Sequence, residues 1–188
     1  MMVSKTLKYV YVAYFRTSSK SMYKWLKDNY QGEWYGKHHQ FDVPNEFRDY
    51  LVFTVVRNPY EREVSSRFFV SKMPDAPPRD LNKVKLGEFG WQKRRLKEAG
   101  VSLVLHFERL PECLGELPFV DENNIPPFPH VEEAGYRPFG NFFDHFTMED
   151  EKVVWEYARE DFEAFGYRRF DCGLPETWAS EGLFFTKK

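Results

Sequence analysis

Two short polar segments hold the residues best suited to binding an anion. The first, Arg16–Ser21, has two cations and four hydroxyl groups in six residues. The second begins at Arg57, continues with Asn58 and Pro59, and has Ser65 eight residues after the arginine. Cationic side chains, hydroxyls and the free N–H groups of a helix N-terminus all attract phosphate or sulfate. The sequence therefore predicts that each segment can bind an anion.

Each segment stands between a predicted strand and a predicted helix. Tyr9–Phe15 is a continuous apolar run, typical of a strand covered on both faces, and a helix over Lys20–Asn29 follows. The run from Leu51 to Arg57 predicts a second buried strand that ends on an arginine, after which Asn58 suits an N-cap and Pro59 the first helical position. Open α/β sheets bind ligands where strand ends meet helix N-termini.

Either segment alone has a plainer interpretation. Arg57 can simply pair with a nearby carboxylate at a strand–helix corner, and Arg16–Ser21 can be a solvated polar loop. If Lys20 and Ser21 are aligned with the last two residues of the P-loop motif Gly-x₄-Gly-Lys-Ser/Thr, Tyr14 falls on the first glycine. The motif needs a glycine there so that the backbone can wrap around the phosphates. An ordinary ATPase or kinase is therefore disfavoured, while phosphate binding is not.

The remaining pattern predicts one α/β domain over residues 1–188, with a central, mainly parallel sheet flanked by helices. The further predicted elements are a third buried strand, three helices and two excursions. The strand is Val101–Phe107; the helices are Leu86–Ala99, Arg109–Leu117 and Glu149–Phe165; the excursions are 73–100 and 118–140, placed to cover a bound ligand. Thr147 and Asp150 form a capping box for the last helix, and Gly166 ends it.

Composition narrows the classes of partner. The 27 basic and 29 acidic residues nearly balance, so binding to nucleic acid through bulk charge is not expected. We find no apolar run long enough to span a membrane and no signal-peptide h-region, which predicts a cytoplasmic protein. Cys113 and Cys172 are far apart and are expected to be reduced thiols. Oligomeric state cannot be predicted from the sequence.

Two adjacent histidines, His38 and His39, are the candidate general bases, since a neutral imidazole accepts a proton near pH 7. A solvent-exposed turn is the plainer interpretation of the pair, and Glu33 is a weaker candidate base. Consecutive residues point in different directions, so the pair is unlikely to bind one metal, and no metal site is predicted. His106 at the end of the third strand is expected to be a satisfied core or edge residue.

Taken together, the two segments resemble those of the sulfotransferases that use 3′-phosphoadenosine 5′-phosphosulfate (PAPS), most closely the carbohydrate-type branch. In that family a Pro-Lys-Thr-Gly-Gly-Thr-Ser loop follows the first strand, where this chain has Phe15–Ser21. The family's second motif, Val-Arg-Asn/Asp-Pro with an aromatic, an arginine and a serine behind it, is similar to Val56–Ser65. Weaker similarities lie in three later segments, so that the resemblance covers about residues 8–168. They are Val104–Leu110, Tyr136–Thr147 and Tyr157–Tyr167.

The resemblance implies a P-loop-NTPase-like sulfotransferase fold and a role for each matching residue. Arg57 and Ser65 would bind the 3′-phosphate of PAPS, and Arg137 and Gly140 would cover the nucleotide. The 5′ end would be bound by the loop residues, which are Arg16, Thr17, Ser18, Ser19, Lys20 and Ser21. The family's catalytic lysine falls on Arg16, which keeps the charge but cannot donate a proton near neutral pH, so Lys20 is the candidate for that contact.

The expected reaction is transfer of a sulfuryl group from PAPS to a hydroxyl of a small molecule or carbohydrate, without a metal. His38 or His39 would take the acceptor's proton, while Arg16 and Lys20 offset charge on the leaving phosphate. Two alternatives stay open. One is a kinase-like P-loop enzyme, and the other is a nucleotide- or glycan-binding module that has lost activity through the change at Arg16.

Overall fold

The computed structural model describes residues 1–37, 40–71, 91–131 and 147–169, with backbone only at 67–71 and 91. Its strands are β1 (Met2–Ser4), β2 (Tyr9–Tyr11), β3 (Glu33–Trp34), β4 (Leu51–Val56) and β5 (Leu103–His106). Its α-helices are α1 (Ser19–Asn29), α2 (Pro59–Ser71), α3 (Trp91–Glu98) and α4 (Met148–Phe165). Short 3₁₀ turns lie at Asn45–Phe47, Phe107–Arg109 and Glu112–Glu116.

The five strands form one mixed sheet in the order β3-β1-β2-β4-β5. β4 is parallel to both β2 and β5, whereas β1 is antiparallel to β2 and to β3. The predicted α/β class is confirmed, but two of the four pairings are antiparallel, so the sheet is less parallel than predicted. The antiparallel strands β1 and β3 have three and two residues, too few for a period-2 pattern to be detected.

The sheet is covered on both faces, which explains the continuous apolar runs of its central strands. Alternate residues of β2 go to opposite faces. Tyr9 and Tyr11 join the cluster that contains Met22, Trp25 and Leu26 of α1. Val10 belongs to the second cluster, together with Val52, Val56, Phe47 and Leu96. The spacing of Met22, Trp25 and Leu26 in the sequence predicts that they face the sheet, and the structure confirms it.

Helix α4 begins and ends where the sequence predicts. The Thr147 hydroxyl accepts from the Asp150 N–H at 3.1 Å, and the Asp150 carboxylate accepts from the Thr147 N–H at 2.9 Å. Gly166 ends the helix in the left-handed conformation, at φ +71°.

The predicted helix between the third strand and the 118–140 excursion was wrong. Arg109–Leu117 is not an α-helix: Arg109 ends one 3₁₀ turn, and Glu112–Glu116 form another. Leu110 precedes a proline, which disfavours the helical conformation, and it is extended at φ −75° and ψ 138°.

Element ends differ elsewhere as well. The first strand ends at Tyr11 instead of Phe15, although the Val12 N–H still donates to the Phe53 carbonyl at 2.9 Å. α3 occupies the described part of the predicted Leu86–Ala99 helix. Residues 118–131 contain neither helix nor strand. The rest of the two predicted excursions, 73–90 and 132–140, lies outside the described residues.

Candidate functional site

The two polar segments follow neighbouring parallel strands and therefore lie at the same edge of the sheet. Arg16–Ser21 comes after β2 and opens α1, while Arg57 and Asn58 come after β4 and open α2. Both helices thus start at this edge, with their N–H groups and positive dipole ends. The Asn58 amide oxygen caps α2, accepting from the Tyr60 N–H at 2.9 Å. This pair of helix starts is the geometry that open α/β sheets use for anionic ligands.

Arg16 joins the two segments directly. Its Nε and one terminal guanidinium nitrogen donate to the Ser65 Oγ at 3.1 and 3.0 Å. Ser65 lies about two turns into α2, so the arginine reaches from one helix start to the next. The structure therefore brings together Arg16 and Ser65, two of the predicted site residues that stand 49 positions apart.

The loop backbone has an unusual conformation at two of its residues. Arg16 has φ +62°, and Ser18, the residue before α1, is left-handed at φ +64° and ψ +26°. Glycine takes this conformation at little steric cost, while other residues adopt it only when their surroundings hold them there. The Thr17 hydroxyl is one of the groups that hold the loop backbone in place. Thr17 is fully buried, and its hydroxyl donates to the Tyr14 carbonyl at 3.0 Å.

The other loop residues differ in exposure. Ser21 is 6% exposed, and its Oγ accepts from the Val131 N–H at 3.2 Å, which attaches the 118–131 segment to the start of α1. Ser18 and Ser19 are half-buried. Lys20 is exposed, whereas Arg16 is half-buried, so Lys20 is the loop cation that is most accessible to solvent.

Arg57 is a buried cation with several partners. It is 8% exposed, and its guanidinium carbon lies 4.1 Å from the centre of the Phe107 ring. Two of its nitrogens donate to the Glu61 Oε2 at 3.3 and 3.1 Å, and a third donates to the Arg16 carbonyl at 3.4 Å. The carboxylate pairing that the plainer interpretation required is therefore present. It occurs beside the contact with the loop, not in place of it.

Glu108 and Tyr167 extend this edge in a way that the sequence did not predict. The Glu108 carboxylate accepts from the Asn58 N–H at 2.7 Å and from the Tyr167 hydroxyl at 2.8 Å. The Tyr167 oxygen also lies 3.1 Å from the His106 Nδ1. Because the tyrosine proton goes to the carboxylate, the Nδ1 must donate, which assigns the Nδ1–H tautomer. His106 is therefore a satisfied edge residue, as predicted.

The Tyr167 hydroxyl is held neutral. Burial raises its pKa, and the negative charges of Glu108 and Glu61 raise it further, against a smaller opposing effect of Arg57. The Phe-Glu corner after the third strand was the sequence signal for Glu108. Tyr167 lies at the end of the Tyr157–Tyr167 segment noted for its similarity, but no role was predicted for it.

Several predicted residues cannot be placed. His38, His39, Arg137 and Gly140 lie outside the described residues. Of the other candidates, Glu33 is exposed on the outermost strand, β3. Cys113 is a buried free thiol, and Cys172 lies outside the described residues.

Comparisons of the chain with protein-family models, curated proteins and solved structures give no match. Among the helices in the described ranges, none has the length and apolar character needed to cross a bilayer.

Proposed function

We propose that this protein is a PAPS-dependent sulfotransferase with a sulfotransferase-type α/β fold, acting on an acceptor hydroxyl. The observation that carries the proposal is the Arg16–Ser65 contact, which joins two helix starts at one sheet edge. PAPS has anionic groups at two ends, a 3′-phosphate and a 5′-phosphosulfate. Two adjacent anion-binding segments match a ligand of that kind better than they match a single phosphate.

The residues at this edge fit such a nucleotide in charge and backbone shape. Arg16, Lys20 and Arg57 carry three positive charges, against two negative charges on Glu61 and Glu108. Ser18 has the left-handed conformation at a position where the similar family loop has a glycine. We assign the loop to the 5′ end, and Arg57 with Ser65 to the 3′-phosphate, from the resemblance of their motifs.

The reaction proposed is an in-line displacement at sulfur. The acceptor oxygen forms a bond to sulfur as the bond from sulfur to the bridging oxygen of the 5′-phosphate breaks. That electron pair stays on the phosphate of 3′-phosphoadenosine 5′-phosphate (PAP), and the acceptor's proton passes to a base. Arg16 and Lys20 stabilise the charge that develops on the leaving phosphate, an effect worth several kcal/mol at enzyme sites of this type.

His38 and His39 are the proposed bases. Replacing each with alanine should lower turnover by about 10²-fold or more and leave PAP affinity within about twofold, since a base acts on the acceptor and not on the nucleotide. If both variants turn over normally, Glu33 or another group is the base.

The deciding experiment compares PAP with ATP in thermal unfolding. A ligand that binds the folded state raises the melting temperature according to its affinity. We expect PAP to stabilise the wild type more than ATP at equal concentration, and we expect Arg57→Ala to remove the PAP effect. Arg159→Ala is the matched control, since Arg159 is an exposed arginine of α4 that pairs with Glu163.

The alternatives give different results. Stabilisation by ATP without stabilisation by PAP would favour a kinase-like enzyme. PAP binding without turnover on a broad panel of phenols, alcohols and sugars would favour an inactive binding module. PAP binding that survives Arg57→Ala would contradict the assignment of the 3′-phosphate site.

A further inference from the structure

A second surface with the features of a binding site lies beside α1, on the outer edge of the sheet. It is a groove of about 660 Å³, within the size range of small-molecule sites. One wall is the outer face of α1, with Tyr23, Lys24, Lys27 and Asp28; the other is formed by Glu33 and Trp34 of β3. None of these residues belongs to the candidate anion site described above.

Trp34 is the unusual feature of this groove. Its indole is 50% exposed, which makes it one of the three most exposed large apolar side chains among the described residues. It is nevertheless held in place: its Nε1–H donates to the Gly36 carbonyl at 2.8 Å, and its ring packs edge-on against Tyr23 at 4.7 Å. An exposed aromatic ring with a fixed orientation loses little conformational entropy when a ligand packs on it.

The backbone beneath the indole is also fixed. Trp34 and Glu33 pair with Met2 and Val3 of β1. At Gly32, a Cβ atom would lie 2.7 Å from the Met2 sulfur and 2.9 Å from the Tyr9 hydroxyl, so a side chain there would require the side chains of Met2 and Tyr9 to shift. The indole is therefore mounted on a preformed wall.

The polar groups around the indole are balanced in charge. Lys24 and Lys27 supply donors, while Asp28 and Glu33 supply acceptors, and Lys24 pairs with Asp28 at 2.6 Å. The groove thus has no excess charge that would select a polyanion or a polycation. A rigid aromatic face bordered by both donors and acceptors suits a neutral ring with apolar C–H faces and hydroxyls around its rim.

We propose that this groove is a carbohydrate-binding site that packs one neutral sugar ring on Trp34. The groove shares no residue with the Arg16–Ser21 loop or with the start of α2 at Arg57 and Asn58. The proposal therefore does not depend on the proposed function.

The test uses saturation-transfer NMR and tryptophan fluorescence titration on the full chain without nucleotide. The probes are cellotetraose, chitotetraose and maltotetraose, with heparin as the polyanion and a tyrosine-rich peptide as a protein-like probe. We expect at least one neutral tetrasaccharide to bind. We also expect Trp34→Ala to weaken it at least about tenfold, and Glu33→Ala, at an exposed position, to weaken it a fewfold.

Phe15→Ala is the matched control, because Phe15 is 53% exposed and lies outside the groove. It should bind the tetrasaccharide with unchanged affinity. The proposal is overturned if no neutral tetrasaccharide binds, if only heparin or only the peptide binds, or if tetrasaccharide binding survives both Trp34→Ala and Glu33→Ala. PAP binding, measured in parallel, reports on the proposed function separately.

Discussion

The guanidinium of Arg57 is held by the carboxylate of Glu61, four residues further along the chain, at 3.1 Å. Both side chains are largely buried, at 9% and 16% exposure. Glu61 is also in the first turn of α2, where its negative charge is stabilised by the helix dipole. The Glu61 carboxylate is therefore already paired with the cation that we assign to the 3′-phosphate. A phosphate bound to Arg57 would lie close to the negative charge of Glu61.

This relationship predicts the effect of Glu61→Gln on nucleotide affinity. Glutamine keeps one oxygen that can accept from Arg57 but removes the competing charge. We expect PAP to bind about three- to tenfold more tightly, measured by isothermal titration calorimetry. Glu149→Gln is the control, because Glu149 is an acidic first-turn residue of α4. Equal affinity in the wild type and Glu61→Gln would mean that Glu61 does not compete with the ligand.

The Arg16–Ser65 contact predicts how the two loop cations differ. Arg16 is half-buried and reaches across to α2, while Lys20 is exposed. If Arg16 stabilises the leaving phosphate, Arg16→Ala should lower kcat by about 10²- to 10³-fold in an assay of PAP release, with a smaller change in PAP affinity. Lys20→Ala should have a smaller effect on kcat. Arg94→Ala, on the exposed face of α3, should have none. A larger loss in Lys20→Ala would assign the main role to the lysine.

Substitution by glycine at Ser18 and at Ser19, two of the three serines in the loop, should change stability in opposite directions. Ser18 is left-handed, and glycine would relieve that strain, which outweighs the extra freedom of glycine in the unfolded chain. Ser18→Gly should raise the free energy of unfolding by about 0.5 kcal/mol. Ser19 is the first residue of α1, so Ser19→Gly should lower it by about 0.5 kcal/mol. Urea denaturation of both variants measures the difference, and the same sign in both would contradict the backbone argument.

Cys113 should resist thiol reagents. Burial raises the pKa of its thiol from 9.0 to about 11, and its Sγ lies 3.4 Å from the His106 carbonyl oxygen, to which it donates. In a Cys172→Ser background, labelling with a disulfide reagent at about pH 8 should be at least about 100-fold slower in the native protein than in guanidinium chloride. Fast native labelling would show that the thiol is accessible.

The raised pKa of the Cys113 thiol also makes the stability of the protein depend on pH. Between pH 9 and 11 the folded state keeps the thiol proton that the unfolded state has lost. The thiol's contribution to the free energy of unfolding is therefore complete below about pH 9 and is lost as the pH rises to about 11. Cys113→Ala should reduce the slope of melting temperature against pH across this window. An unchanged slope would contradict the raised pKa.

The sequence was most informative where a local rule decides the structure. The capping box at Thr147 and Asp150, the stop at Gly166 and the Asn58-Pro59 start of α2 depend on neighbouring residues alone, and all were predicted. The long apolar run of β4 predicted its start at Leu51, while the predicted end at Arg57 is one residue beyond the observed end at Val56. β2 is short, but it lies in the longer apolar run Tyr9–Phe15, which made it recognisable. β1 and β3 lie in no such run, so these two strands, and with them the antiparallel half of the sheet, were missed.

The sequence by itself indicated which residues are candidates for binding an anion and that they follow strands and precede helices. Only the tertiary structure decided how they meet. Arg16 and Ser65 come together because β2 and β4 are parallel neighbours, so that loops far apart in the chain lie at one edge. Arg57 contacts both Phe107 and the Arg16 carbonyl, and Tyr167 reaches Glu108 from beyond α4. These contacts depend on long-range packing, which no spacing along the chain encodes.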